Sequence, residues 1–145
     1  SAKLNNPNAL LNLGYLYFNG YGVEQSYQKA KEYYELSAKM NNSWAMLNLG
    51  YLYFYGEGFP KDYPRAKYYF ELAAKRNNSK AFLYLGIFYE NGEIYQKNYS
   101  KAIDYYKLAA NQNESFALLF LGKLYYNGKG VKKDFVKAKE YFELS

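Results

Sequence analysis

Ala9, Ala45, Ala81 and Ala117 follow one another at steps of 36 residues. The same step separates Gly14, Gly50, Gly86 and Gly122; Tyr17, Tyr53, Tyr89 and Tyr125; Gly20, Gly56, Gly92 and Gly128; and Ala30, Ala66, Ala102 and Ala138. No insertion interrupts the five columns. A strict period constrains the fold more than any other property, because each unit must be one supersecondary element that buries its apolar face against the next copy. The frame divides a single domain into residues 1–6, the end of a preceding repeat, then repeat 1 (7–42), repeat 2 (43–78), repeat 3 (79–114) and a truncated repeat 4 (115–145).

The spacing within a unit predicts two helices. In the first, Ala9, Leu10, Leu13 and Tyr17 recur at intervals that share one helical face. The helix stops at Gly20 and its equivalents, since the left-handed backbone beyond a helix end is cheap only for Gly or Asn. Ser26, Asp62, Asn98 and Asp134 occupy one column. What they share is a short side-chain oxygen that can accept from free amides at a helix start, so the column predicts an N-cap for the second helix. Pro64 then falls in the first turn, where its missing N–H breaks no intrahelical bond. The second helix is expected to turn Ala30, Tyr33, Tyr34 and Leu36 inward. It ends at Asn5, Asn41, Asn77 and Asn113 in the respective units, asparagine being second to glycine in the left-handed region. Gly14 and Ala30, with their equivalents, are small enough to let the two helices pack closely, and aromatics fill the space between successive pairs.

These columns resemble the Sel-one-like repeat (SLR), a relative of the tetratricopeptide repeat with a longer glycine-containing loop between its helices. The resemblance rests on "ALLNLGYLYFNGYGVEQSYQKAKEYYELSAKMN" at residues 9–41. It rests equally on Ala117, Leu121-Gly122, Tyr125, Gly128-x-Gly130-Val131, Asp134, Lys137-Ala138 and Tyr141, and on Ala109-Ala110 in repeat 3. It implies an all-α, right-handed α-solenoid of four 36-residue helix-turn-helix repeats, a TPR-like superhelix. It further implies an adaptor or scaffold for protein complexes, with no catalytic residues. Three departures stand out. Ile94 replaces the second loop glycine present at Gly22, Gly58 and Gly130, which requires either a position free of positive φ or a different path for the third loop. Phe59 and Tyr95 replace Val23 and Val131, and asparagine replaces the family's glycine after each second helix.

Composition narrows the chemistry. Half the residues are hydrophobic, yet no run approaches the roughly 18 apolar residues of a membrane span. With neither cysteine nor histidine, disulfides, thiolate metal sites, cysteine nucleophiles and most acid-base catalysis lose their usual residues. Nothing in the pattern calls for a cofactor. "NGYGVE" and "NGKGVKK" lack the strand context and the Lys-Ser/Thr ending of a phosphate loop, and Glu90 and Asp104 fall on different helices, so the sequence points away from an enzyme. The first residue is Ser and no signal peptide is visible, as in a processed or excised chain, which leaves the compartment undetermined.

The resemblance places the first helices on a concave face, and the residues not used for stacking point into it. Counting from each helix glycine, the candidate lining is Asn8, Leu11, Tyr15, Phe18 and Asn19; Trp44, Leu47, Tyr51, Phe54 and Tyr55; Lys80, Leu83, Ile87, Glu90 and Asn91; and Phe116, Leu119, Lys123, Tyr126 and Asn127. Exposed Trp and Tyr are enriched among binding hot spots, so the leading expectation is a protein or peptide partner in this groove; the competing reading is that these aromatics only pack between neighbouring helices. The alternative function is single-stranded nucleic-acid binding, through Lys123, Lys129, Lys132, Lys133, Lys137 and Lys139 near exposed aromatics. The match of "SAKLNN" with "SAKMNN" and the stop at "YFELS" suggest a piece of a longer array, whose two complementary ends would associate weakly head to tail.

Overall fold

A computed structural model describes residues 5–145. The expectation that residues 1–6 finish a preceding helix falls largely on residues 1–4, outside the described part. The described residues form eight α-helices: α1 (Pro7–Asn19), α2 (Tyr27–Lys39), α3 (Ser43–Tyr55), α4 (Tyr63–Ala74), α5 (Ser79–Asn91), α6 (Tyr99–Ala110), α7 (Ser115–Asn127) and α8 (Phe135–Leu144). They contain no strand. The helices group into two compact units, residues 1–76 and 77–145. In unit 1, α1 packs on α2, α3 on α4, and α2 on α3. Unit 2 repeats the scheme with α5 on α6, α7 on α8, and α6 on α7.

The predicted caps are present. Gly20, Gly56, Gly92 and Gly128 each adopt a left-handed backbone and return an N–H to a carbonyl four residues earlier. Ser26, Asp62, Asn98 and Asp134 each accept from the backbone N–H three residues on. Asn41, Asn77 and Asn113 have φ of 67°, 61° and 61°. A second asparagine column starts the first helix of the first three repeats. Asn6, Asn42 and Asn78 cap the first helices by accepting from N–H groups of the first turn. Glu114 holds the same place on α7 and makes no such bond.

The helix glycines make room for a ring. A Cβ at Gly14, Gly50, Gly86 or Gly122 would lie 2.4–2.5 Å from the ring of Tyr34, Phe70, Tyr106 or Phe142, respectively. Each pair has a first-helix glycine receiving a second-helix aromatic, a contact too close for any side chain at the glycine. Around it, Ala30, Tyr34, Ala45, Leu49 and Leu52 form a buried cluster in unit 1. Leu36 is not part of this core. It is 43% exposed, and the inward position belongs to its neighbour Ser37, whose hydroxyl donates to the Pro7 carbonyl at 2.7 Å. Ala73 and Ala109 fill the corresponding places in repeats 2 and 3.

A further contact recurs in all four repeats. Tyr17 stacks on Tyr33, Tyr53 on Tyr69, Tyr89 on Tyr105 and Tyr125 on Tyr141, with centroids 5.5–6.1 Å apart. Lys29, Arg65, Lys101 and Lys137 place a cation over the first ring of each pair at 5.2–5.4 Å. Exposed cation–π contacts contribute about 0.5–1 kcal/mol each, so these second-helix cations act within the fold. The loops differ more. Gly22, Gly58 and Gly130 have φ near +72°, whereas Ile94 does not enter the positive-φ region, so the third loop follows another path there. In that loop Tyr95 stacks on Tyr89 at 4.1 Å. Gly58 rests against Tyr27 of the preceding repeat and Gly130 against Tyr99, and a Cβ at either would lie within 2.5 Å of the tyrosine.

Candidate functional site

In unit 1 the candidate residues lie on α1 and α3. Trp44, Asn48, Tyr51 and Tyr55 follow one another at intervals of four, three and four, which aligns them along one side of α3. Trp44 is 48% exposed, and its ring has no aromatic, charged or hydrogen-bonding partner among the described residues. Tyr15 and Tyr55 are similarly exposed, while Phe18, Tyr51 and Phe54 are half-buried. Leu47 was expected to line the groove; it is 1% exposed and belongs to the core, as does Leu83 in unit 2. Their spacing from the glycine was a helical one, but it brings them round to the packed side.

Several candidate aromatics pack within their own repeat. Phe18 meets Tyr27 edge-on at 5.3 Å, Phe54 meets Tyr63 at 5.5 Å, and Tyr126 meets Phe135 at 5.3 Å. In repeat 3 that column holds Glu90, which accepts from the Tyr106 hydroxyl at 2.5 Å. Burial, reinforced by this hydrogen bond, pushes the Tyr106 hydroxyl well above its ordinary pKa. Ile87 and Glu90 are half-buried on α5, and Lys80 at the start of that helix pairs with Glu114 at 3.5 Å. Phe116, Lys123 and Tyr126 are exposed on α7, where Phe116 contacts Phe120 at 6.5 Å and Lys123 covers Phe120 at 5.8 Å.

A cavity of about 250 Å³ opens in unit 1, lined by Tyr15 and Phe18 of α1, Tyr34 of α2, and Asn48 and Tyr51 of α3. Tyr34 and Asn48 were not among the groove candidates, because the columns mark Tyr34 as core and Asn48 is one residue off the counted positions. Burial first, and the neighbouring Tyr15 second, raise the Tyr34 hydroxyl to about 12. It stays protonated at neutral pH. A second cavity, about 530 Å³, is lined by Tyr126, Phe135, Ala138, Lys139, Phe142 and Glu143 of repeat 4.

The lysine-rich stretch is largely committed to other contacts. Lys129 lies over Tyr99, Lys133 over Phe135 and Lys137 over Tyr125, while Lys139 pairs with Glu143 at 3.7 Å. Among the described residues no group of three acidic, cysteine or histidine side chains could hold a metal ion, and no helix is long and apolar enough to cross a membrane.

Helical hairpins repeated every 36 residues, each closed by a glycine-to-ring contact between its two helices, define an all-α helical-repeat protein of the solenoid class. The chain belongs to the Sel1 repeat family, whose pattern matches residues 7–42, 45–78, 79–114 and 115–145. Members of this family are generally protein-interaction scaffolds built on a non-enzymatic fold. The structure is similar to that of a Sel1 repeat protein from Oxalobacter formigenes, with 34% identity and a TM-score of 0.92 over 97% of this chain and 57% of that one. It is also similar to a protective antigen of uropathogenic Escherichia coli that displays an SLR fold, with 28% identity and a TM-score of 0.88 over 97% of this chain and 30% of that one. Helicobacter pylori cysteine rich protein B matches at 30% identity and a TM-score of 0.63, covering 84% of this chain and 87% of that one. No curated protein matches. The chain thus spans little more than half of the first of these structures and under a third of the second.

Proposed function

We propose that the chain is a protein-interaction module whose α1–α3 face in unit 1 binds a peptide segment. The observation that carries this reading is the cavity of about 250 Å³ between Tyr15, Phe18 and Tyr51, on a face that also presents the exposed Trp44. Aromatic walls around an open pocket provide the desolvated anchor site on which peptide affinity concentrates. Unit 2 supplies a different face, with Lys80, Ile87, Glu90, Phe116, Lys123 and Tyr126 replacing much of the aromatic lining by charge. The two units would therefore read different parts of a partner.

Trp44 is the single tryptophan of the chain, so its emission reports on this face without labelling. Peptides selected for binding to the whole chain are expected to shift that emission. Replacing Trp44 and Tyr51 together by Ala is expected to weaken their binding by about 2 kcal/mol or more, with the helical circular dichroism signal retained. Selected peptides that bind without changing Trp44 emission, and equally well to the double variant, would place the interaction elsewhere.

A further inference from the structure

We infer that the unit 1 pocket takes a carboxylate of the bound peptide, held by the Tyr34 hydroxyl with the Asn48 amide beside it. The inference rests on the proposed peptide-binding reading and specifies its chemistry. Tyr34 is 2% exposed, with its ring fixed against Gly14. Its hydroxyl has no hydrogen-bond partner among the described residues. Among the described residues every fully inaccessible side-chain nitrogen or oxygen does have one, so the Tyr34 oxygen must reach the cavity it lines. Asn48 lines the same cavity, and its amide also lacks a partner among the described residues. A polar group held in an aromatic pocket without a protein partner favours a ligand that supplies one.

The repeat itself shows which acceptor this tyrosine takes. Stepping by 36 residues from Tyr34 leads to Phe70, Tyr106 and Phe142, so only two of the four repeats carry the hydroxyl. In repeat 3 the Tyr106 hydroxyl donates to the Glu90 carboxylate at 2.5 Å. The residue in the Glu90 column of repeat 1 is Phe18, which cannot accept. The same kind of donor, at equivalent positions of α2 and α6 and against the equivalent glycines Gly14 and Gly86, therefore has a carboxylate in one repeat and an open pocket in the other. An acidic side chain from a partner would complete repeat 1 as Glu90 completes repeat 3, its methylene groups lying against Tyr15, Phe18 and Tyr51. A chain of net charge +6 also attracts an acidic segment over longer range.

The test is an NMR titration of the whole chain with three capped dipeptides. Acetyl-Leu-Glu-amide carries a side-chain carboxylate, acetyl-Leu-Gln-amide is its neutral isostere, and acetyl-Leu-Ala carries only a terminal carboxylate. The Glu probe is expected to shift the Tyr15, Tyr51 and Trp44 ring signals and to bind more tightly than the Gln probe. Tyr34→Phe keeps the ring against Gly14 and removes only the donor. It should weaken the Glu probe about 10- to 100-fold, as expected for a hydrogen bond to a charged group, and leave the Gln probe nearly unchanged. Tyr106→Phe should have no effect on either. Phe18→Glu, which gives repeat 1 the acceptor of repeat 3, should abolish binding of the Glu probe while the helical signal persists. Tight binding of acetyl-Leu-Ala alone, still dependent on Tyr34, would assign the site to a chain terminus. Equal binding of the Glu and Gln probes, or insensitivity to Tyr34→Phe, would overturn the carboxylate and leave the peptide-binding face standing. The absence of any shift at Tyr15, Tyr51 and Trp44 with all three probes would overturn both.

Discussion

Gly50 shows what a single residue contributes to this fold. Alanine is the better helix former by about 1 kcal/mol, so on propensity alone Gly50→Ala should stabilise α3. The new Cβ, however, would lie 2.5 Å from the ring of Phe70, which is fully buried and has no room to withdraw. Overpacking of this kind costs about 1–3 kcal/mol, and the clash outweighs the propensity. Gly50→Ala is expected to lower the Tm and Gly50→Leu to disrupt unit 1, both measurable by circular dichroism; a raised Tm for the alanine variant would contradict the ring seat. The glycine column was legible in the sequence because it recurs without exception. Its reason was less legible, since a small residue that admits a helix and one that admits a ring leave the same trace. The groove candidates were read by the same counting, which could find the exposed Trp44, Tyr15 and Tyr55. It could not separate them from Leu47, where one helical position more or less decides between cavity wall and core.

Among the elements, α7 departs from its counterparts at its start. Asn6, Asn42 and Asn78 cap α1, α3 and α5 through their side chains, while Glu114 leaves the first amides of α7 without one. Glu114 instead accepts an ion pair from the half-exposed Lys80 at 3.5 Å. Glu114 is only 9% exposed, so the attraction of the pair is offset by the cost of desolvating its carboxylate, whereas a side-chain N-cap contributes about 1 kcal/mol, up to 2. Glu114→Asn is therefore expected to raise the Tm by a few degrees, measured by calorimetry, and a lower Tm would show that the ion pair is the stronger term. The helix boundaries were legible because caps demand particular chemistry at particular places: a left-handed residue at one end, a short acceptor at the other. The repeated Asn-Asn pair does both jobs in succession, left-handed at Asn41 and Asn77, capping at Asn42 and Asn78. Leu36 was misread because hydrophobicity alone ranks it above Ser37, although it is Ser37 that faces α1, with its hydroxyl satisfied by the Pro7 carbonyl.

The whole molecule has no histidine, so no side chain with an ordinary pKa titrates between pH 5 and 8. Its tyrosines set a limit at the alkaline end. Burial raises the Tyr34 hydroxyl to about 12 and moves Tyr69 and Tyr106 in the same direction. Unfolded tyrosines ionise near pH 10. Above that pH the unfolded chain binds fewer protons than the folded one, and stability falls as pH rises. For Tyr34 the contribution is intact below about pH 10 and lost through about pH 12, roughly 2–3 kcal/mol in all. Tyr99 moves the other way, lowered by the neighbouring Lys97 ammonium, but it lies at the surface and does not offset the rest. The Tm is expected to stay level from about pH 6 to 9 and to drop steeply above 10, less steeply in Tyr34→Phe and Tyr106→Phe; a step near neutrality, or identical alkaline slopes in the variants, would rule this out. The solenoid class itself was legible from the 36-residue step, whereas the pocket was not, because it depends on which of the two tyrosines in the column, Tyr34 or Tyr106, lacks an acceptor. The seat of Gly58 on Tyr27 and of Gly130 on Tyr99 bears on inheritance. An in-frame duplication of repeat 2 brings its own glycine, Gly58, and its own tyrosine, Tyr63, so the junction between the two copies is ready-made, whereas repeat 3, with Ile94 in the glycine column, and repeat 4, with Phe135 in the tyrosine column, each carry only half of the seat. A gene for such a chain can gain a copy of repeat 2 in one recombination event with the joint between the copies already fitted.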